Sequence, residues 1–162
     1  MEFQMITSVW TLRRWVLGSL VAAAAVAGMT AAEAADEPEN VIKYRRIVMQ
    51  SHGTHLLPIS MIASGEVSFT GHIAAHARAA HAVSLMLADL FPKGTDVGDT
   101  RAKPEIWQNW AKFETAVETL KTATAELVRV AEGGDLAAIG AQLQNVGKAC
   151  GGCHKPFRKE KE

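Results

Sequence analysis

Ile106, Trp110, Phe113, Val117, Leu120, Thr124 and Leu127 recur at steps of three and four residues. On an α-helix this spacing gathers them into one stripe, which must be buried against a neighbouring element. Leu136, Ile139, Leu143, Val146 and Cys150 repeat the pattern one segment later. After the first 35 residues strand-like alternation is absent, and the helix formers Ala, Leu, Glu, Lys and Gln are abundant. Breaks fall at Gly and Pro clusters. They predict a first helix from about Pro38 to Ala63, ended by Ser64-Gly65, and a second from about Thr70 to Leu90, stopped by Phe91-Pro92. After the loop "PKGTDVGDTRAK", a third helix begins with Pro104 in its first turn, where a missing N–H costs nothing, and ends at Gly133-Gly134. Asp135 then caps a fourth. Pro58 is expected to kink the first helix, and the charged tail after Arg158 to fray. The fold class is all-α, an antiparallel up-down-up-down four-helix bundle.

The first 34 residues stand apart. Arg13 and Arg14 precede an apolar, alanine-rich run from Trp15 that closes on Ala32-Glu33-Ala34, an A-x-A cleavage site. This is the pattern of a cleaved secretory signal peptide, residues 1–34. A retained anchor is the competing reading, but the uncharged run of about 18 residues is short for a span of ~20. Leu12 before the arginine pair favours general secretion over a twin-arginine route. The expected mature domain is residues 35–162, extracytoplasmic and not inserted in a membrane. One domain with one core fits its length. The chain has 17 basic and 17 acidic residues, and losing Glu2, Glu33, Arg13 and Arg14 leaves the balance at zero. That balance argues against nucleic acid as a partner.

The only two cysteines, Cys150 and Cys153, sit directly before His154. On a helix these are positions i, i+3 and i+4, so the three side chains share a face. C-x-x-C-H is the attachment pattern for c-type haem: two thiols add to the vinyl groups and the imidazole binds iron. Zinc would need a fourth ligand and usually a second paired motif. A thioredoxin-like pair belongs beside a βαβ unit, which is missing. A disulfide is open to an exported chain, although it would close only two residues and leave His154 without a role.

In this motif and in "VIKYRRIVMQSHG", "GEV", "FPKGTD", "KPEIW" and "VGKACGGCHKPFR", the chain resembles the class II c-type cytochromes, namely cytochrome c-prime and the low-spin cytochrome c-556. The resemblance covers nearly all of residues 35–162. It implies a periplasmic four-helix bundle carrying one haem c, with Cys150 and Cys153 as thioethers and His154 as proximal ligand. Arg158 matches the basic residue beside that histidine, and Arg45 a haem-edge arginine. Arg46 stands at a neighbouring polar position. Thr95 and Asp96 replace a Thr-Glu pair that approaches the haem. For each of these, the plain alternative is a solvated surface residue.

The resemblance places Met49 on the distal side of the haem. It implies a low-spin His154/Met49 electron carrier working with small redox proteins or membrane redox complexes, and not an enzyme. The alternative is a five-coordinate, high-spin protein that binds NO or CO. His52 shares the face of Met49 and is a rival distal ligand; the plainer reading of His52 and His55 is a surface or haem-edge position. His72, His76 and His81 are expected to be exposed or interfacial, although His72 and His76 have the spacing of a metal pair. Trp107 and Trp110 are expected in the core or against the haem. The resemblance also implies a homodimer through the first two helices.

Overall fold

The computed structural model describes residues 36–160. The expected signal peptide lies outside them. Among the described residues there are five α-helices: α1 (Pro38–Ala63), α2 (Ile73–Leu85), α3 (Glu105–Gln108), α4 (Trp110–Gly133) and α5 (Leu136–Phe157). α1 packs on α2, α2 on α4, α4 on α5, and α5 back on α1. This ring is the expected four-helix bundle, with α3 as a short prelude to the third long helix. No helix among the described residues is long and apolar enough to cross a membrane.

Local chemistry explains most of the boundaries. Pro38 and Glu39 occupy the first turn of α1, where a missing N–H and a negative charge are both favourable. α1 stays continuous through Pro58 and ends where Gly65 takes a positive φ of 82°. Gly134 terminates α4 in the same way, at φ 74°. Asp135 then starts α5, its carboxylate accepting from the amides of Ala137 (2.9 Å) and Ala138 (3.3 Å). Asp135→Ala is expected to cost about 1 kcal/mol, the usual loss for an N-cap. A lower urea midpoint at unchanged m-value would show it.

Three expectations need correcting. The second helix is not uniform over Thr70–Leu90: a 3-10 turn (Thr70–His72) leads into α2, and another (Ala88–Leu90) follows it. The third is broken at Asn109, whose φ of −128° and ψ of 51° are not helical. The tail does not fray directly after Arg158. Ala102 and Arg158 form an isolated antiparallel bridge, and the Lys159 amide donates to the Arg101 carbonyl at 2.8 Å. The chain leaving α5 is thereby fastened to the loop before α3.

The stripes read from the sequence do form the core. Ile106, Phe113, Val117, Leu120, Thr124 and Leu127 are buried, as are Ile139 and Val146. Trp110 and Leu143 are half-buried, and Leu136 is 37 % exposed, so the α5 stripe begins one turn later than expected. Phe113 centres an aromatic cluster, its ring 4.7 Å from Phe91, 5.3 Å from Trp110 and 5.5 Å from Phe157. Two of these contacts are edge-on, the geometry that aromatic quadrupoles favour.

Candidate haem-binding site

Cys150, Cys153 and His154 lie in the last two turns of α5, all three half-buried. Both thiols are free, and both pack against the hydrophobic core. Burial pushes Cys153 up to about 11, and the neighbouring Cys150 adds to the shift. Burial raises Cys150 as well, while Arg158 pulls both back. Such thiols are neutral at physiological pH, unlike the depressed thiols of redox pairs. His154 is lowered, first by burial and then by the charges of Arg158, Arg101 and His52. Its imidazole is therefore neutral, the form that binds metals. Among the described residues no three His, Cys, Asp or Glu side chains gather as a metal-ion cluster, so the zinc reading gains no fourth partner.

α1 supplies the facing residues. Met49 is half-buried and packs against the core. His52 is only 6 % exposed, and its Nε2 has no hydrogen-bond partner. Burial lowers its pKa, the charge of His55 lowers it further, and a backbone hydrogen bond to Ala80 offsets part of the change. The plain expectation of a surface or haem-edge histidine gave no sign of this burial.

Arg45 and Thr95 do come together. Arg45 is 4 % exposed; it donates to the Thr95 carbonyl and hydroxyl (both 3.0 Å), to the Thr100 hydroxyl (2.8 Å) and to the Leu90 carbonyl (3.3 Å). Its guanidinium also lies over the Phe91 ring, 4.7 Å from the centroid. Arg46 instead points outward and pairs with exposed Asp99 at 2.6 Å. Asp96 is half-buried beside Thr95. Arg158 caps α5 and is exposed. Trp107 donates to the Phe91 carbonyl at 3.0 Å, tying α3 to the loop.

The other histidines have local roles. His55 and His76 meet across α1 and α2, with Nδ1 atoms 3.2 Å apart. His81 contacts the buried Thr124 hydroxyl at 3.0 Å, and Ser84 meets the same hydroxyl at 3.0 Å. His72 is exposed and stacks on Phe69, whereas His76, four residues on, meets His55 instead. These contacts crossed helices and had no signal in sequence spacing. A surface groove between α4 and α5 is lined by Thr119, Ala123, Gln142, Asn145 and Ala149, the last one turn before Cys153 on the same side of α5.

The arrangement fits a haem. Two half-buried thiols and a neutral imidazole share one helix face on an apolar seat. A buried imidazole nitrogen lacks a partner, and a buried guanidinium has only neutral partners. These are a covalent anchor, an iron ligand, and a buried positive charge that no anionic side chain meets, as an anionic haem edge would.

Comparison with known proteins decides the family. The family model for cytochrome c′ matches residues 40–158. The chain belongs to the cytochrome c′ family. It is 34% identical over 142 residues to cytochrome c′ of Rhodospirillum rubrum, covering 87% of this chain and 96% of that protein. Among solved structures, cytochrome c′ of Rubrivivax gelatinosus is 29% identical with a TM-score of 0.72, covering 76% of this chain and 98% of that one. The nitric oxide complex of a variant of cytochrome c prime from Alcaligenes xylosoxidans is 28% identical with a TM-score of 0.72, covering 77% and 98%. Cytochrome c′ membership brings one covalently attached haem c and fixes the fold as the four-helix bundle seen here.

Proposed function

We propose that this cytochrome c′ is an exported mono-haem protein whose reduced iron is five-coordinate and high-spin and binds NO or CO. The observation that carries this reading is the family match, together with relatives solved as NO and CO complexes. It displaces the leading expectation, a low-spin electron carrier with Met49 on iron. The earlier alternative is now the better supported.

In this reading Cys150 and Cys153 form the thioethers and His154 is the proximal ligand. When bound, the haem supplies an iron that changes oxidation state by one electron and has an axial position for a diatomic ligand. The chain supplies the rest. Core packing around α5 holds the thiols at one depth. Burial keeps His154 neutral and ready to bind. Arg158 places a positive charge beside it. Met49 fills distal space as an apolar side chain and slows ligand entry by crowding. Arg45, held by Thr95 with Asp96 beside it, forms the polar edge together with the outward-pointing Arg46, and its charge, met only by neutral partners, suits an anionic haem substituent. Residues 1–34 direct the chain to the bacterial periplasm and are removed, leaving residues 35–162. Small redox proteins or membrane redox complexes there would set its oxidation state. Nothing resembling an acid–base or nucleophile constellation accompanies the site among the described residues.

One absorption experiment tests this. The ferrous protein is expected to show a high-spin spectrum that shifts on adding CO, and Met49→Leu should leave the CO-free spectrum unchanged. A low-spin ferrous spectrum, inert to CO and lost in Met49→Leu, would return the protein to the electron-carrier reading.

A further inference from the structure

We infer that five cations at the exit of α5, Arg101, Lys103, Lys155, Arg158 and Lys159, form a docking surface for the acidic face of a protein that exchanges one electron with the haem. This rests on the haem reading above and names the chemistry of the partner and the surface that meets it.

The fold gathers these residues from two distant segments. Lys155 and Arg158 follow His154 within about one turn, and the Arg158 amide donates to the His154 carbonyl at 2.9 Å. The loop before α3 adds Arg101 and Lys103. It runs antiparallel to the chain leaving α5, with Ala102 opposite Arg158, and the Lys103 amide donates to the Phe157 carbonyl at 3.0 Å. Ala102 and Phe157 turn inward and are buried; Lys103 is half-buried, and the other four cations are exposed. The Arg101 guanidinium donates to the Lys159 carbonyl at 2.6 and 3.0 Å, and the Lys103 ammonium reaches the Lys155 carbonyl at 3.5 Å. None of the four ion pairs among the described residues uses any of these cations. Of the acidic residues nearest in sequence, Asp99 is held by Arg46, which leaves exposed Glu105 and Glu160 to oppose the five. Capping accounts for little of this charge, since a helix C-terminus carries only about half a negative charge. Nor does overall charge account for it, because the chain balances 17 basic against 17 acidic residues. A local positive patch of this kind steers an anionic partner and speeds its encounter. Its place within a turn of the iron ligand favours an acidic redox protein over a lipid surface, because electron exchange requires the partner's redox centre to come close to the haem.

The test uses the haem-loaded, reduced protein. Pyridine haemochrome analysis comes first, and absence of covalent haem would overturn both this inference and the reading beneath it. In stopped flow, the ferrous haem gives one electron to hexacyanoferrate(III), yielding ferric haem and hexacyanoferrate(II). The second-order rate constant is expected to fall about tenfold between about 10 and 200 mM salt, as for a steered encounter. With the cationic oxidant tris(phenanthroline)cobalt(III) the rate should instead rise with salt. These two measurements need no variant. Joint replacement by Lys103→Gln, Lys155→Gln and Lys159→Gln should remove most of both dependences. Arg78→Gln should change neither, since Arg78 pairs with Glu132 near the opposite end of α5, roughly 30 Å away. At low salt a peptide of about ten glutamates should slow the wild-type reaction with hexacyanoferrate(III), by occupying the patch. Phosphatidylglycerol vesicles should pellet no more protein than phosphatidylcholine vesicles. A rate with hexacyanoferrate(III) that is flat or rises with salt, a triple variant that keeps the wild-type dependence, no effect of the peptide, or capture by phosphatidylglycerol would each overturn the assignment. The gas-binding reading is judged separately, on the ferrous CO spectrum, and would stand in each of those cases.

Discussion

Replacing Cys150 and Cys153 together by serine is expected to abolish covalent haem, leaving none on the polypeptide after denaturation in acid and acetone. The bond at stake joins a thiol sulfur to a vinyl carbon. A serine hydroxyl is close in size but does not make that addition under the conditions of haem maturation, so the change removes chemistry rather than shape. The packing supports a clean outcome. Both thiols sit half-buried at the edge of the core, where a hydroxyl still reaches water and costs little. Each single variant should keep one thioether and therefore some haem on the chain. Mass spectrometry of the denatured protein reads all three species. Haem surviving denaturation in the double variant would show that attachment does not run through these cysteines.

The fold was largely legible because helices announce themselves locally. The α4 stripe from Phe113 to Leu127 is a period, and Gly65, Gly134 and Asp135 are end signals that need nothing beyond neighbouring residues. What escaped the sequence depends on distant partners. The break at Asn109 lies inside a good helical pattern, next to Trp107, whose indole is bonded to the Phe91 and Pro92 carbonyls. The tail is held by Arg101, 58 residues away in sequence. The site divides in the same way. Cys150, Cys153 and His154 are readable because one helix turn places them. His52 is not, because its burial is set by where α1 meets its neighbours and by Ala80 on α2. Met49 is half-buried against the core, yet a methionine side chain alone does not distinguish ligand from filler.

Arg45 joins the two halves of that contrast and carries the second large effect. Arg45→Met is expected to destabilise the protein by about 3 kcal/mol, within the range for removing one member of a buried hydrogen-bonded charge network. Methionine replaces the aliphatic stem, so the loss is chiefly polar. The Thr95 and Leu90 carbonyls and the Thr100 hydroxyl lose their donor, and Phe91 loses the cation over its ring. Burial lowers the pKa of Arg45, but from a value so high that the side chain stays charged. Neutral partners alone hold that charge, so the site already bears a desolvation cost that an anionic haem edge would relieve. Two measurements separate loop from haem. Hydrogen exchange should quicken in residues 91–103, whose buried hold on α1 is this guanidinium, with only the exposed Arg46–Asp99 pair beside it. The urea midpoint of the haem-loaded protein should fall with little change in m-value. Arg45→Lys should recover only part of the loss, since one ammonium cannot span the carbonyls and hydroxyls that the planar fork reaches together. Full recovery by lysine would mean that charge, and not the geometry of the fork, holds the loop to α1.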